Sequence, residues 1–349
     1  MSNVYVKELN IFYPFKIWVK GSCRQAGLLK LFLLSLTFHT NFQMNPASIV
    51  VVGSTNTDMV IKAAHLPQPG ETILGGTFFM SAGGKGANQA VAAARLGGKV
   101  SFIAKTGYDV FGKQSIELFE KEGIDISFIL RDRYQPSGVA LITVDDKGEN
   151  CIVVAPGANA TLSLEDITEA KEKIETASLV LIQLETPIET VEYVATITAS
   201  KKIKLILNPA PAAKLNDELL KKISIITPNQ KETEMLTGIK VNDESSAKQA
   251  AMFLHNKGIE TVIVTMGAIG AFVSNRNNNS MVQGHKVNVV DTTAAGDVFN
   301  GAFVVALSEG KTMEDAVAFA CKAAAISVTR LGAQASAPYR KEVESFDRT

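Results

Sequence analysis

The chain has 349 residues, 46% hydrophobic and 20% charged, the balance of a globular protein long enough for a broad α/β core with a small appendage. Lysine plus arginine and aspartate plus glutamate each number 35, so the formal net charge is zero. No long-range field then draws the protein to nucleic acid or to an anionic membrane, and a small-molecule partner is expected. Cys23, Cys151 and Cys321 lie far apart with no CxxC pair, which implies neither a disulfide framework nor a zinc site and fits a reducing cytoplasm.

At the start of the chain Lys7, Lys16, Lys20, Arg24 and Lys30 stand against a single acid, Glu8, and "LLKLFLLSLTF" (28 to 38) is nearly all apolar. Such a stretch resembles a signal peptide or short membrane anchor. The apolar run is shorter than the roughly 18 residues of a spanning helix, and no small-x-small cleavage site follows it. Met44 then opens "MNPASIVVVGSTNTD", a natural start for a strand-first domain. Residues 1 to 43 are therefore expected to be an extension outside the fold, with one main domain over 44 to 349.

From Ile49 onward short β-branched runs alternate with helical stretches: "IVVVG" (49 to 53), "VSFIA" (100 to 104), "LVLIQ" (179 to 183), "IKLIL" (203 to 207), "ISIIT" (223 to 227) and "TVIVT" (261 to 265). Continuous apolar runs suit strands buried on both faces, and the helices between them imply crossovers into a mostly parallel sheet. The expected fold is a doubly wound α/β sandwich. Residues 60 to 82, and 136 to 158 with the turn-like "DDKGE", break the rhythm and read as short strands and hairpins, a small β-sheet lid over one end of the core.

Polar residues recur just beyond the strands: Asn56 and Asp58, Glu185, Asn208, Asn229, and Gly267 with Gly270. Ligands of open α/β sheets bind outside the carboxyl ends of the strands, so these residues are expected on one rim. Taken singly, each also suits a turn or a helix cap, and Asn208 before Pro209 can simply shape its turn. "SAGGKGANQAVAAARLGG" (81 to 98) sets glycines before an alanine-rich helix, where backbone and ligand can approach closely, and Lys85 and Asn88 add hydrogen-bond donors. It is not a dinucleotide fingerprint, since Gln89 stands where a third glycine belongs. Nor is it a P-loop, since Gly86 follows Lys85 and Phe79 replaces the first glycine; "GKT" (310 to 312) fails likewise at Val305.

"DTTAAGDVFNG" (291 to 301) crowds Ala294, Ala295 and Gly296 before Asp297 at the start of a helix. Small residues there let an anion sit against backbone N–H groups, with the helix dipole adding partial positive charge. A carboxylate beside such a hole suits proton abstraction from an attacking hydroxyl better than it suits phosphate binding. By spacing alone, a second reading stands equally: Asp297 caps its helix and Gly296 ends a turn.

Together, "GGKGANQAVAAARLG" and "DTTAAGDVFNGAF", in that order within a chain similar from about Ile49 to Phe346, resemble both signatures of the ribokinase branch of the PfkB carbohydrate kinase family. Ala294 stands where many members carry glycine. The resemblance implies ATP-dependent phosphorylation of the ribose 5-hydroxyl to ribose 5-phosphate and ADP, with Asp297 as base and the backbone of Ala294, Ala295, Gly296 and Asp297 as anion hole. It implies a sugar pocket of Asn56, Thr57, Asp58, Gly84, Lys85, Gly86, Asn88 and Glu185. For ATP it implies Asn229 of "TPNQKE", Thr265, Met266, Gly267, Ala268 and Gly270 of "TMGAIG", Gly296 and Cys321. Glu232 falls in the magnesium region, and Asp291, Thr293, Ser327, Arg330, Gly332 and Ser336 match a potassium site. A homodimer through the lid sheet is a further implication. The rivals are a deoxyribokinase or other sugar or nucleoside kinase, a non-catalytic sensor, which the presence of Asp297 disfavours, and an oxidoreductase, which lacks its dinucleotide fingerprint here.

Overall fold

The computed structural model describes residues 47–276 and 278–346, all within the unit running from Gln43 to Thr349. The expectations for residues 1 to 43 and for Met44 lie outside the described residues.

In chain order, β1 (Ser48–Val52) leads into β2 (Asn56–Lys62) and β3 (Thr77–Gly83), then α1 (Lys85–Arg95), β4 (Lys99–Gly107), α2 (Val110–Lys121) and β5 (Asp125–Asp132). A hairpin of β6 (Gly138–Val144) and β7 (Asn150–Ala155) precedes α3 (Leu164–Glu169), α4 (Lys171–Glu175), β8 (Leu179–Ile182), α5 (Ile188–Lys201) and β9 (Lys204–Leu207). Next come α6 (Asp217–Leu220), β10 (Ile225–Ile226), α7 (Gln230–Thr237), α8 (Glu244–Asn256), β11 (Thr261–Thr265), β12 (Gly270–Asn275) and β13 (Asn279–Gln283). Three helices close the fold: α9 (Ala295–Ser308), α10 (Met313–Ser327) and α11 (Arg340–Ser345).

Nine strands form the main sheet in the order β13-β12-β11-β10-β9-β8-β1-β4-β5, parallel from β11 to β5 and antiparallel at β11-β12-β13. Strand alternation sends Ile49 and Val51 of β1 into a core shared with α1, α9 and α10, and Val50 and Val52 into a second core shared with α5 and α8. All four are fully buried, each adding about 1.5–3 kcal/mol relative to exposure, which is why the parallel strands read as unbroken apolar runs. Three strands of this sheet were not anticipated. β5 is only half-buried and carries charges at both ends, and β12–β13 is a short hairpin at the edge.

The second sheet, β3-β2-β6-β7, is the anticipated lid. Its boundaries correct the sequence reading: the first lid strand begins at Asn56, not near residue 60, so Asn56 and Asp58 belong to a strand rather than to a loop. In register, Asn56 and Asp58 share one face of β2, while Thr57, Met59 and Ile61 share the other with Met80, Phe78, Leu141 and Val153. Among the described residues no helix is long and apolar enough to cross a membrane.

Candidate active site

β1 has β4 on one side and β8 on the other, so the loops leaving β1 and β8 part at a switch point where a crevice opens. Ser54 after β1 donates its hydroxyl to Glu185 Oε2 after β8 at 2.5 Å, and the same oxygen accepts the Lys85 backbone N–H at 3.0 Å. Glu185 thereby satisfies an open donor in the first turn of α1.

The glycines before α1 make room first for the protein itself. Gly84 has φ 89°, and a Cβ there would lie 2.7 Å from Asn56 N and Thr55 Cα. A Cβ on Gly86 would meet Ser54 N at 2.6 Å, and one on Gly83 the Asp58 carboxylate at 2.3 Å. Small residues here let the lid strand, the exit of β1 and α1 converge on one point.

Lys85 is the hub of that point. Burial disfavours its charge, yet the carboxylates of Asp297, Glu185, Glu232 and Asp58 together hold its pKa above the ordinary lysine value. Burial pushes Asp58 up to about 6, helped by Glu185 and Asp297 and opposed by Lys85. Asp58 has no side-chain hydrogen bond among the described residues.

Asp297 is buried in the first turn of α9, 5% exposed. Its Oδ2 accepts Asn88 Nδ2 and its Oδ1 accepts Gln89 Nε2, each at 2.9 Å. Burial raises its pKa, against Lys85, Asn88 and Gln89, with Glu185 adding to the rise. The carboxylate caps no helix; Ala294 holds the N-cap position and offers no side-chain cap. Ala294 adopts φ 59°, left-handed backbone that costs a non-glycine residue about 1 kcal/mol. The N–H groups of Gly296 and Asp297 meet no partner among the described residues. Gly296 is exposed, has no positive φ, and a Cβ on it would meet nothing within 4 Å. Gly296 thus lies inside the first turn of α9 rather than ending a turn, and no neighbour in the fold would meet a side chain there.

The anticipated nucleotide residues divide. Asn229 caps α7 in a reciprocal box with Glu232, accepting Glu232 N–H at 2.9 Å and donating its own N–H and Nδ2 to the Glu232 carboxylate, both at 2.8 Å. An isolated bridge joins Asn229 to Thr265, so both sit on one rim. Gly267, at φ 57°, and Ala268 are exposed there, while Gly270 serves the hairpin, its missing Cβ falling 2.0 Å from Val282 O. Met266 and Cys321 are not brought to the rim by their side chains. Both are buried, Met266 in one core and Cys321 in the other, where burial pushes its thiol up to about 11. Thr57 likewise lies on the opposite face of β2 from Asn56 and Asp58.

Of the residues anticipated for potassium, Asp291, Thr293 and Gly332 are brought together. Asp291 accepts the N–H of Thr293 and of Gly332, each at 2.9 Å, pinning two loops together. Burial would raise Asp291, but the Thr293 and Gly332 donors and Lys62 hold it below the usual carboxylate range. Ser327 and Ser336 are fully buried nearby in sequence, and the Arg330 guanidinium turns away to pair with Glu342.

A model described as the pfkB family of carbohydrate kinases matches residues 46–340. The chain belongs to that family. Relatives include a ribokinase of Haemophilus influenzae, 48% identical over 86% of this chain and 98% of that protein, and a deoxyribokinase of Salmonella typhimurium, 38% identical over 86% and 97%. Among solved structures, ribokinase from Thermotoga maritima superposes with a TM-score of 0.80 at 42% identity, covering 87% of this chain and 100% of that one. Arabidopsis thaliana ribokinase, solved with ribose and ATP, gives 0.81 at 32%, covering 87% and 99%.

Within this pfkB kinase, two polar residues, Gln89 and Gln183, escaped notice as part of the site, and they join Asn208 of the anticipated rim. Gln89, Gln183 and Asn208 are buried behind Asp297, with Gln183 Nε2 donating to Gln89 Oε1 at 2.5 Å and Gln89 Nε2 donating to Asn208 Oδ1 at 3.0 Å. Asn208 is thus no mere turn residue. The available signal was two consecutive amides, Asn88 and Gln89, on a helix otherwise lined with alanine.

Proposed function

We propose that this pfkB kinase is an ATP-dependent ribokinase that phosphorylates the 5-hydroxyl of D-ribose. The observation that carries the reading is Gly296: a glycine that nothing in the fold requires, in front of open space and unpaired N–H groups, beside the buried carboxylate of Asp297. Identity is 48% and 41% to two ribokinases against 38% to a deoxyribokinase, which favours ribose over 2-deoxyribose.

In the proposed reaction the ribose 5-hydroxyl gives its proton to Asp297, and its oxygen forms a bond to the γ-phosphorus as the bond to the β–γ bridging oxygen breaks, releasing ADP. Of the backbone of residues 294–297, the Ala295 N–H is taken by Thr292 O at 3.3 Å, and the N–H groups of Ala294, Gly296 and Asp297 take up the charge developing on the transferred phosphoryl group. Asn56, Asp58, Lys85, Asn88 and Glu185 bind the sugar. Asn88 Oδ1 is buried without a partner and Asp58 is equally unengaged, and both need the hydroxyl donors that a furanose brings. Asn229, Thr265, Gly267 and Ala268 line the nucleotide side.

Magnesium and potassium are both part of the proposal. Among the described residues no group of three or more His, Cys, Asp or Glu could hold a metal ion, and both Glu232 oxygens already accept from Asn229. Glu232 therefore fits magnesium carried on the ATP phosphates rather than a protein cage. Asp291 with Thr293, Ser327, Arg330, Gly332 and Ser336 is an oxygen-rich set with one carboxylate, which fits a hard monovalent cation. When bound, magnesium screens phosphate charge and potassium supports the loop ahead of Ala294.

The outward face of the lid, with Ile61, Phe78, Met80, Leu141 and Val153 all exposed, supports a homodimer through this sheet. The cytoplasm is the proposed location, in keeping with the free Cys151 and Cys321. The test is ADP release from magnesium-ATP with ribose, 2-deoxyribose, fructose or adenosine, with and without potassium. Ribose as the fastest acceptor supports the reading; a folded protein that phosphorylates none of them refutes it.

A further inference from the structure

We infer that Gln89 is the residue that positions the base: its side-chain amide holds Oδ1 of Asp297 and leaves Oδ2 as the oxygen that receives the substrate proton. This rests on the kinase reading for the identity of the substrate, and on hydrogen-bond direction for everything else.

The direction is fixed from the far end of the network. The backbone carbonyl of Thr227 can only accept, so Asn208 turns Nδ2 toward it at 3.3 Å and its Oδ1 toward Gln89. Gln183 donates to Gln89 Oε1, which leaves Gln89 only its Nε2 group to present to Asn208 and to Asp297. Each link allows a single sense of donation, so Oδ1 of Asp297 always faces an N–H. Oδ2 also accepts an N–H, from Asn88 Nδ2 at 2.9 Å, but the Gln89 donor is locked by its other partners and the Asn88 donor is not. On the Oδ2 side stands Asn88, whose Oδ1 has no partner, so this amide is free to turn as the hydroxyl arrives.

The same network reaches the anion hole. Thr227 Oγ1 donates to Asn300 Oδ1 at 2.7 Å, and Asn300 Nδ2 donates to Gly296 O at 2.8 Å. Base and hole are therefore held by one connected set of buried groups. Close packing makes the reach possible: a Cβ on Gly301 of α9 would fall 2.7 Å from Gln89 O and from Ala92 Cβ of α1. Gln89 is fully buried, so it touches neither solvent nor sugar and acts only through Asp297.

Charged groups facing Asp297 come from every side of the cleft: Lys85 of α1, Asp58 of β2, Glu185 beyond β8 and Glu232 of α7. None of them replaces the Oδ1 donor. Removing that donor is expected to raise the pH at which Asp297 gives up its proton by about one unit.

The experiment uses the full chain as wild type, Gln89→Met, which fills the space without donating, and Gln89→Glu, which keeps the shape. Profiles of kcat/KM for ribose against pH are expected to shift their acid limb upward in both variants, more in Gln89→Glu, while the KM for ribose stays within about 2-fold. At neutral pH kcat is expected to fall by about 10-fold. An acid limb unmoved in both variants overturns the inference, because a merely structural glutamine lowers activity equally at every pH. A second readout needs no turnover: the carboxyl 13C signal of Asp297, assigned by its loss in Asp297→Asn, is titrated in each protein. If wild type fails to phosphorylate ribose, the functional reading falls, and this titration alone decides the role of Gln89: a midpoint unchanged in either folded variant refutes it.

Discussion

At the start of α1, the Cβ that Gly84 lacks would fall 2.7 Å from backbone atoms of Thr55 and Asn56; at the start of α9, a Cβ on Gly296 would meet nothing within 4 Å. Both are glycine-rich helix entries, and sequence alone treats them alike. At α1 the glycines are spent on the fold, drawing the lid strand and the exit of β1 against the helix so that Asp58, Lys85 and Glu185 meet. At α9 the small residues leave space outside the fold, and N–H groups without partners face it. In the proposed function, the first entry would shape the sugar side by packing and the second would leave backbone N–H groups open to the phosphate.

Substitutions should separate the two. Gly84→Ala adds strain at φ 89° to a backbone clash and is expected to destabilise the protein by about 3 kcal/mol or more, read as a melting temperature lower by roughly 5–10 °C. A Gly84→Ala protein that melts like wild type would break the comparison. Gly296→Ala should do the opposite. Helix propensity favours alanine over glycine by about 1 kcal/mol, so Tm holds or rises, while turnover falls about 100-fold because the methyl occupies the anion's place. Retained turnover would return Gly296 to an ordinary helix residue.

Asp58 sharpens the sugar side. Its pKa is about 6 in the fold against 3.8 for an unperturbed aspartate, so the unfolded chain releases the proton first as pH rises. The fold loses stability from this residue between those values and carries the deficit at pH 7, on the order of 3 kcal/mol. Asp58→Asn is expected to raise Tm at pH 7 and not at pH 3, while weakening ribose binding. In wild type, KM for ribose should climb as pH falls through 6, because hydroxyl donors bind the ionised carboxylate; a flat KM from pH 5 to 8 would count against its role. The smallest effect is expected at Ala294. Relief of about 1 kcal/mol of left-handed strain in Ala294→Gly is offset by the freer unfolded chain, leaving Tm within about 2 °C and turnover within about 2-fold.

Much of this arrangement could be read from the residues. β1, β4, β8, β9 and β11 announced themselves because burial on both faces leaves no polar position to interrupt them. β5 was hidden by its half-burial, and β2 was entered late because Asn56 and Asp58 look like a loop when the lid above them is not known. Asp297 was legible as a lone acid behind small residues. Gln89 was not: its importance comes from the contact between α1 and α9, sealed at Gly301, and no local pattern encodes which helix faces which. Met266 through its motif, and Cys321 through the family resemblance alone, were placed with the nucleotide, and the side chains of both are buried in the cores.

The central claim is that Asp297 is a base held next to an anion hole, and Asp297→Asn tests it most directly. The variant keeps the size of the side chain and removes both the charge and the proton acceptor. Calorimetric ribose binding and ADP release are to be measured on the same preparations. The account predicts ribose binding retained within about 10-fold, an unchanged or higher Tm, and turnover lower by about 1000-fold. Turnover within a few-fold of wild type, in a protein that binds ribose, would contradict it.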